Sequence, residues 1–182
     1  MTAENIWIGD ESILPNATVG GPEVQLQTAY PYIGFPNSTW YQYRDLVNTT
    51  LNYDLNNKFR CEVWGQNEFC YWYNTDCSQV NLPDNFSIQF GTEVYSIPMN
   101  QLIAQTQRTS SVADCDLYFA PLNDLYGNNI RLGDPFFASF LPIFNVETEE
   151  LGLAMNARAY EGSSITEYEE PEPEPTPTDF IQ

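Results

Sequence analysis

Nothing in these 182 residues can do imidazole chemistry, because the sequence contains no histidine. That removes the commonest general base and the commonest transition-metal ligand, and with them Ser-His-Asp and Cys-His nucleophilic sites and His-based zinc sites. What remains for an enzyme is carboxylate chemistry, for which 25 Asp and Glu are present. A glycosidase-like carboxylate pair is the form it would take, and no spacing singles out two of them. Cys61, Cys70, Cys77 and Cys115 include no CxxC pair, which argues against zinc binding or thiol exchange. If all are oxidised, three pairings are open. No metal or cofactor is expected.

Sequons begin at Asn16, Asn37, Asn48 and Asn85, each an acceptor for an N-linked glycan if the chain passes through the secretory route. With the even cysteine count they favour an oxidising, extracellular or secretory setting. Met1 to Asn5 has neither a basic start nor a signal-length apolar run, so the sequence reads as a mature fragment or as a chain that is not secreted.

Only six Lys and Arg oppose the acidic residues, for a formal charge of -19. Nucleic acid is excluded as a partner, since binding it needs cations that displace counterions, and docking on anionic lipid fails for the same reason. No segment reaches the ~20 apolar residues of a membrane span. The acidity itself serves solubility.

The elements that must position any site are short. Apolar and aromatic runs at Asn5–Ile8, Glu23–Gln27, Phe69–Tyr73, Phe86–Phe90, Glu93–Ile97 and Leu117–Ala120, punctuated by Asn, Gly, Pro and Asp, predict strands and hairpins. Trp40, Tyr43, Leu46 and Val47 recur at helical spacing within Thr39–Thr50, with Ser38 or Thr39 as the expected cap. Met99–Gln105, after Pro98, reads as a second short helix or a turn. Phe59–Tyr73 reads as an elaborated hairpin whose aromatics pack on strand faces, in preference to stacking on sugars or filling a partner's groove. From Glu161 the composition turns to Glu, Pro, Thr and Ser, with Glu-Pro repeated at Glu170, Glu172 and Glu174. This predicts a folded unit over 1–160 and an acidic, extended tail over 161–182, held by its own domain or a neighbouring chain.

Three stretches carry a family resemblance. Arg131-Leu132-Gly133-Asp134-Pro135-Phe136 runs on to Phe140 and is followed by Ile143-Phe144-Asn145-Val146 and Leu151-Gly152-Leu153-Ala154. Cys77 to Asp84 contains Leu82-Pro83 and leads through Gly91 into Val94–Pro98, with Cys115 downstream. Val24-Gln25-Leu26-Gln27-Thr28-Ala29 is followed by Gly34-Phe35-Pro36. Together, from about Asn5 to Ala157, they resemble the C-terminal lobe of pepsin-like aspartic proteases. The resemblance implies an all-β single lobe of the pepsin-like (acid protease) fold with one or two short helices. It also implies a Cys77–Cys115 disulfide, leaving Cys61 with Cys70. The chain-entropy model gives about 4 kcal/mol for the longer loop and about 3 kcal/mol for the shorter.

In that family each lobe supplies an Asp-Thr-Gly loop, and the two aspartates share a proton while activating water. Here the loop reads Gln27-Thr28-Ala29. A Gln amide does not titrate near neutral pH, so Gln27 cannot be the base, and Ala29 adds a methyl where the family has glycine. The other lobe's loop is missing from this chain, and pairing two copies, as in retroviral relatives, would only bring Gln27 to Gln27. Asp134 matches a structural position of the family, while Arg131 replaces an apolar residue and has no predicted contact. The expectation is therefore a non-catalytic pseudoprotease lobe acting as a structural or interaction module in an extracellular glycoprotein assembly. A protein partner would cover the face normally buried against the twin lobe, by self-assembly or through a separate N-terminal lobe. The alternative is half of a two-chain protein whose cleft binds or inhibits a partner, as in plant relatives that inhibit glycoside hydrolases.

Overall fold

Alternation along the strands builds the first layer. In β1 (Asn5–Ile8), Ile6 and Ile8 are buried and Asn5 and Trp7 only half-buried, the pattern of a sheet with one face on the core. β7 (Asn85–Phe90) and β8 (Glu93–Pro98) bury Phe86, Ile88, Tyr95 and Ile97 on the same side. With the short β2 (Glu11–Ser12) and β15 (Ser164–Glu167) they form a five-stranded sheet in the order β15-β8-β7-β1-β2, antiparallel throughout. The computed structural model describes residues 1–14, 21–50, 53–64, 67–107, 113–122 and 129–169.

A second sheet has the order β5-β6-β10-β9, from β5 (Phe59–Trp64), β6 (Asn67–Trp72), β9 (Ile103–Gln107) and β10 (Ala113–Leu117). β5 and β6 are the predicted hairpin, and Cys61 and Cys70, directly opposite each other, are bridged with Cα atoms 4.1 Å apart. Cys77, in a single turn of 3-10 helix at Cys77–Gln79, is bridged to Cys115 on β10. Phe69, Tyr71 and Trp72 are buried, so these hairpin aromatics pack as strand residues, while Tyr73 is exposed and the Trp64 side chain lies outside the described residues.

The third sheet, β11-β4-β12-β3, comprises β3 (Val24–Leu26), β4 (Ile33–Pro36), β11 (Phe119–Leu122) and β12 (Ile130–Leu132). It mixes directions, with β11–β4 and β12–β3 parallel and β12–β4 antiparallel. Helix α1 (Asn37–Thr50) follows Pro36 directly and buries Trp40 and Tyr43. It starts ahead of Ser38 and Thr39, so these expected caps sit in its first turn, and Thr39 is buried. The side chains of Leu46 and Val47 lie outside the described residues. Two further helices, α2 (Tyr53–Lys58) and α3 (Asp134–Ser139), are short. After Pro98 a single 3-10 turn at Met99–Gln101 gives way to β9, because Ile103–Gln107 find cross-strand partners on β10.

The three sheets meet over one core in which Phe35, Tyr43, Phe86 and Phe119 pack ring to ring. Tyr43 is fully buried, its hydroxyl finds no hydrogen-bond partner among the described residues, and burial pushes its pKa up. A buried hydroxyl without a partner costs desolvation energy that a phenyl ring does not. Tyr43→Phe is expected to keep the fold and raise stability by about 1 kcal/mol, read as a higher Tm in thermal unfolding. A loss of that size would show that the hydroxyl is satisfied.

The folded unit continues past the boundary at 160 expected from composition. Gly162 turns the chain at φ +89°, β15 then pairs along β8, and Tyr168 stacks on Trp7 with ring centroids 6.0 Å apart. Four residues with cross-strand partners suffice for this, although the segment carries little apolar surface beyond Ile165. Residues 170–182, with the Glu-Pro repeat, lie outside the described residues.

Candidate functional site

The Gln27–Tyr32 loop joins β3 to β4, and β12 lies between those strands, so the loop has to pass the end of β12. Backbone hydrogen bonds hold it there. The Gln27 N–H donates to the Leu132 carbonyl at 2.9 Å, the Tyr30 N–H to the Gln27 carbonyl at 3.0 Å, and the Asp134 N–H to the Tyr30 carbonyl at 2.7 Å. Gly133 permits the approach, since a Cβ there would sit 2.0 Å from the Tyr30 oxygen and 2.4 Å from the Tyr32 oxygen.

At the loop's crown Thr28 and Ala29 are exposed and Gln27 is half-buried. The Gln27 amide donates at 3.4 Å to the Gln25 side-chain oxygen, a long bond between two neutral groups. Ala29 has no positive φ, so its methyl replaces a glycine hydrogen without backbone strain. Asp134 opens α3 with its side chain exposed, at the helix end that favours a negative charge. Arg131, whose contact sequence reasoning could not supply, places its guanidinium 6.0 Å from the centre of the Tyr30 ring, a cation–π distance. The crown of the loop thus presents an amide and a hydroxyl, which hydrogen-bond, and carries no carboxylate at positions 27–29.

Of the predicted glycan acceptors, Asn37 opens α1 and Asn85 opens β7, both half-buried. Asn48 falls near the end of α1 with its side chain outside the described residues, as is the whole of Asn16. Among the described residues no group of three or more His, Cys, Asp and Glu is arranged to hold a metal ion, and no helix is long and apolar enough to cross a membrane.

The resemblance marked Ile143–Val146 and Leu151–Ala154, but their pairing as a hairpin of β13 (Phe140–Asn145) and β14 (Glu150–Met155) comes from the structure. Among the described residues these strands pair only with each other. One face carries Pro142 and Phe144 opposite Leu153 and Leu151, and the other Leu141 and Ile143 opposite Ala154 and Gly152. Leu141, Ile143, Phe144 and Met155 are 40–68% exposed, and Val146 beyond the end of β13 is 87% exposed. The signal was the near-continuous apolar run itself, which lacks the alternation of a one-sided strand.

Sheets, loop and hairpin together define a single pepsin-like lobe. The sequence matches the eukaryotic aspartyl protease family over residues 1–156, and the chain belongs to that family. Solved structures of the same fold include the basic 7S globulin from soybean, at 15% identity and TM-score 0.56 over 84% of this chain. Another is conglutin gamma, a basic 7S globulin from lupine seeds, at 16% identity and TM-score 0.56 over 85% of this chain. In both cases this chain spans 37% of the other protein's length. No curated protein matches the sequence.

Proposed function

We propose that this chain is a non-catalytic pseudoprotease lobe that serves as a structural or interaction module in an extracellular glycoprotein assembly. The observation that carries the reading is the β13–β14 hairpin, apolar on both faces and unpaired on both edges among the described residues. Strands apolar on both faces belong where both faces are covered, and an unpaired edge is a template for another strand. The amide at position 27 supports the non-catalytic part, and two closed disulfides support the oxidising setting.

The test is native molar mass, by light scattering, of the protein purified from its source under non-reducing conditions. A mass well above one chain is expected, falling to one chain when Ile143→Glu and Phe144→Glu charge both hairpin faces. A wild-type monomer at all concentrations would sink the module reading. In acidic proteolysis assays no turnover dependent on Gln27 is expected, and activity lost on Gln27→Ala would refute the non-catalytic assignment. A second reading, half of a two-chain protein with a binding cleft, rests on the lobe fold shared with the globulins. It requires a discrete particle of two lobes containing a second chain of similar size.

A further inference from the structure

We infer that the outer face of the five-stranded sheet, at the Trp7–Tyr168 pair, is a binding site for a neutral sugar ring. Strand register lines up Ser12, Trp7, Ser87, Ser96 and Ser164 in one row across all five strands. The row is uncharged and rich in hydroxyls, and the Ser87 and Ser96 hydroxyls, 2.8 Å apart, keep hydrogen-bonding capacity beyond their mutual bond. At its Trp7 position the indole lies 25° from parallel with the Tyr168 ring, and both remain partly exposed. With Gly9, Asp10, Ser87 and Val94 they line a shallow, open depression of about 300 Å³, and a neighbouring one of about 430 Å³ shares Gly9 and Asp10. These volumes fall at the small end of ligand sites. Gly9, at φ +60°, turns β1 into β2 and puts no side chain into the space.

The chemistry fits a pyranose. Its C–H face packs on an aromatic plane, and its hydroxyls need closely spaced donors and acceptors, which Asp10 and the serine row supply. The chain's charge of -19 disfavours uronates and sulfated sugars. One carboxylate and two near-parallel rings do not enclose a cation as an aromatic cage does. The ring could come from a free saccharide or from a glycan on Asn85. Asn85 shares the face of Ser87, two residues along β7, and its carbonyl accepts from the Gly9 N–H at 2.7 Å, so a glycan there starts at the rim of the depression. None of these residues belongs to the 27–29 loop or to the β13–β14 hairpin, so the site stands or falls apart from the function proposed above.

The experiment is NMR of tryptophan indole N–H signals in the full chain, prepared glycan-free and glycosylated, titrated with diacetylchitobiose, cellobiose and tetramethylammonium. In the glycan-free protein a saturable shift of the Trp7 signal with a sugar is expected, at least tenfold weaker in Asp10→Asn and in Tyr168→Ala. In the glycosylated protein, a Trp7 signal already displaced and restored by Asn85→Gln assigns the site to the attached glycan. Continued titration assigns it to free saccharide. No sugar-dependent shift in the first preparation and no displacement in the second would overturn the proposal, as would a response to tetramethylammonium alone.

Discussion

Gly133→Ala is expected to prevent folding, or to leave a protein unfolded at low urea. The added Cβ would lie 2.0 Å and 2.4 Å from two backbone oxygens, those of Tyr30 and Tyr32, neither of which can swing away as a side chain does. Relief requires the loop to withdraw from β12, which breaks the hydrogen bonds from Gln27 to Leu132 and from Asp134 to Tyr30. Each is worth about 1 kcal/mol, and more where the abandoned group stays buried. Displacing Tyr30, which is buried beneath Arg131, adds lost packing. A total of at least about 4 kcal/mol would consume most of the margin of a domain at the low end of the typical range of about 5–15 kcal/mol. Far-UV circular dichroism with urea titration reads this directly, and a variant within about 1 kcal/mol of the parent would show that the loop moves freely. Gly133 has φ -106°, open to any residue, so the effect comes from close approach and not from backbone strain. The close approach at Gly133 thus fixes the backbone of the loop that carries Gln27.

Local pattern made much of this legible. Short apolar and aromatic runs between turn residues placed β1, β7 and β8 within a residue, helical spacing placed α1, and the resemblance paired the cysteines as the structure has them. What stayed hidden depends on residues distant in sequence. Leu117–Ala120 reads as one strand, yet Tyr118 interrupts it: its N–H donates to Leu102 while its carbonyl accepts from Ile33, so the chain passes there from one sheet to another. The ring facing Arg131, the strand after Gly162 and the partner of Trp7 were equally out of reach, since Tyr30, β8 and Tyr168 arrive only through the assembled sheets. At Gln27 the residue type alone already excluded a general base, while the neighbouring Gln25 contact needed the structure.

Phe119→Ala is expected to be the most damaging change in the core itself, at about 4–5 kcal/mol, within the range for deleting a buried phenyl ring. Phe119 is fully buried, and its ring centre lies 5.2 Å from that of Phe35, 5.1 Å from Tyr43 and 5.2 Å from Phe86. Those four rings come from β11, β4, α1 and β7, so the cavity would open where the sheet bearing the Gln27 loop meets the sheet bearing Trp7. Three side chains fixed by other elements cannot all move inward to fill it, which places the cost near the upper end for such sites. Phe119→Leu retains most of the volume and should cost less than about 2 kcal/mol. Urea unfolding of both variants separates the two contributions. Equal losses would mean that ring contacts dominate over volume, and a small loss for alanine would mean that the two sheets are stable independently. With a loss near 4 kcal/mol for alanine alone, the sheets share one core, and no part of the lobe, hairpin included, can be expected to fold without it.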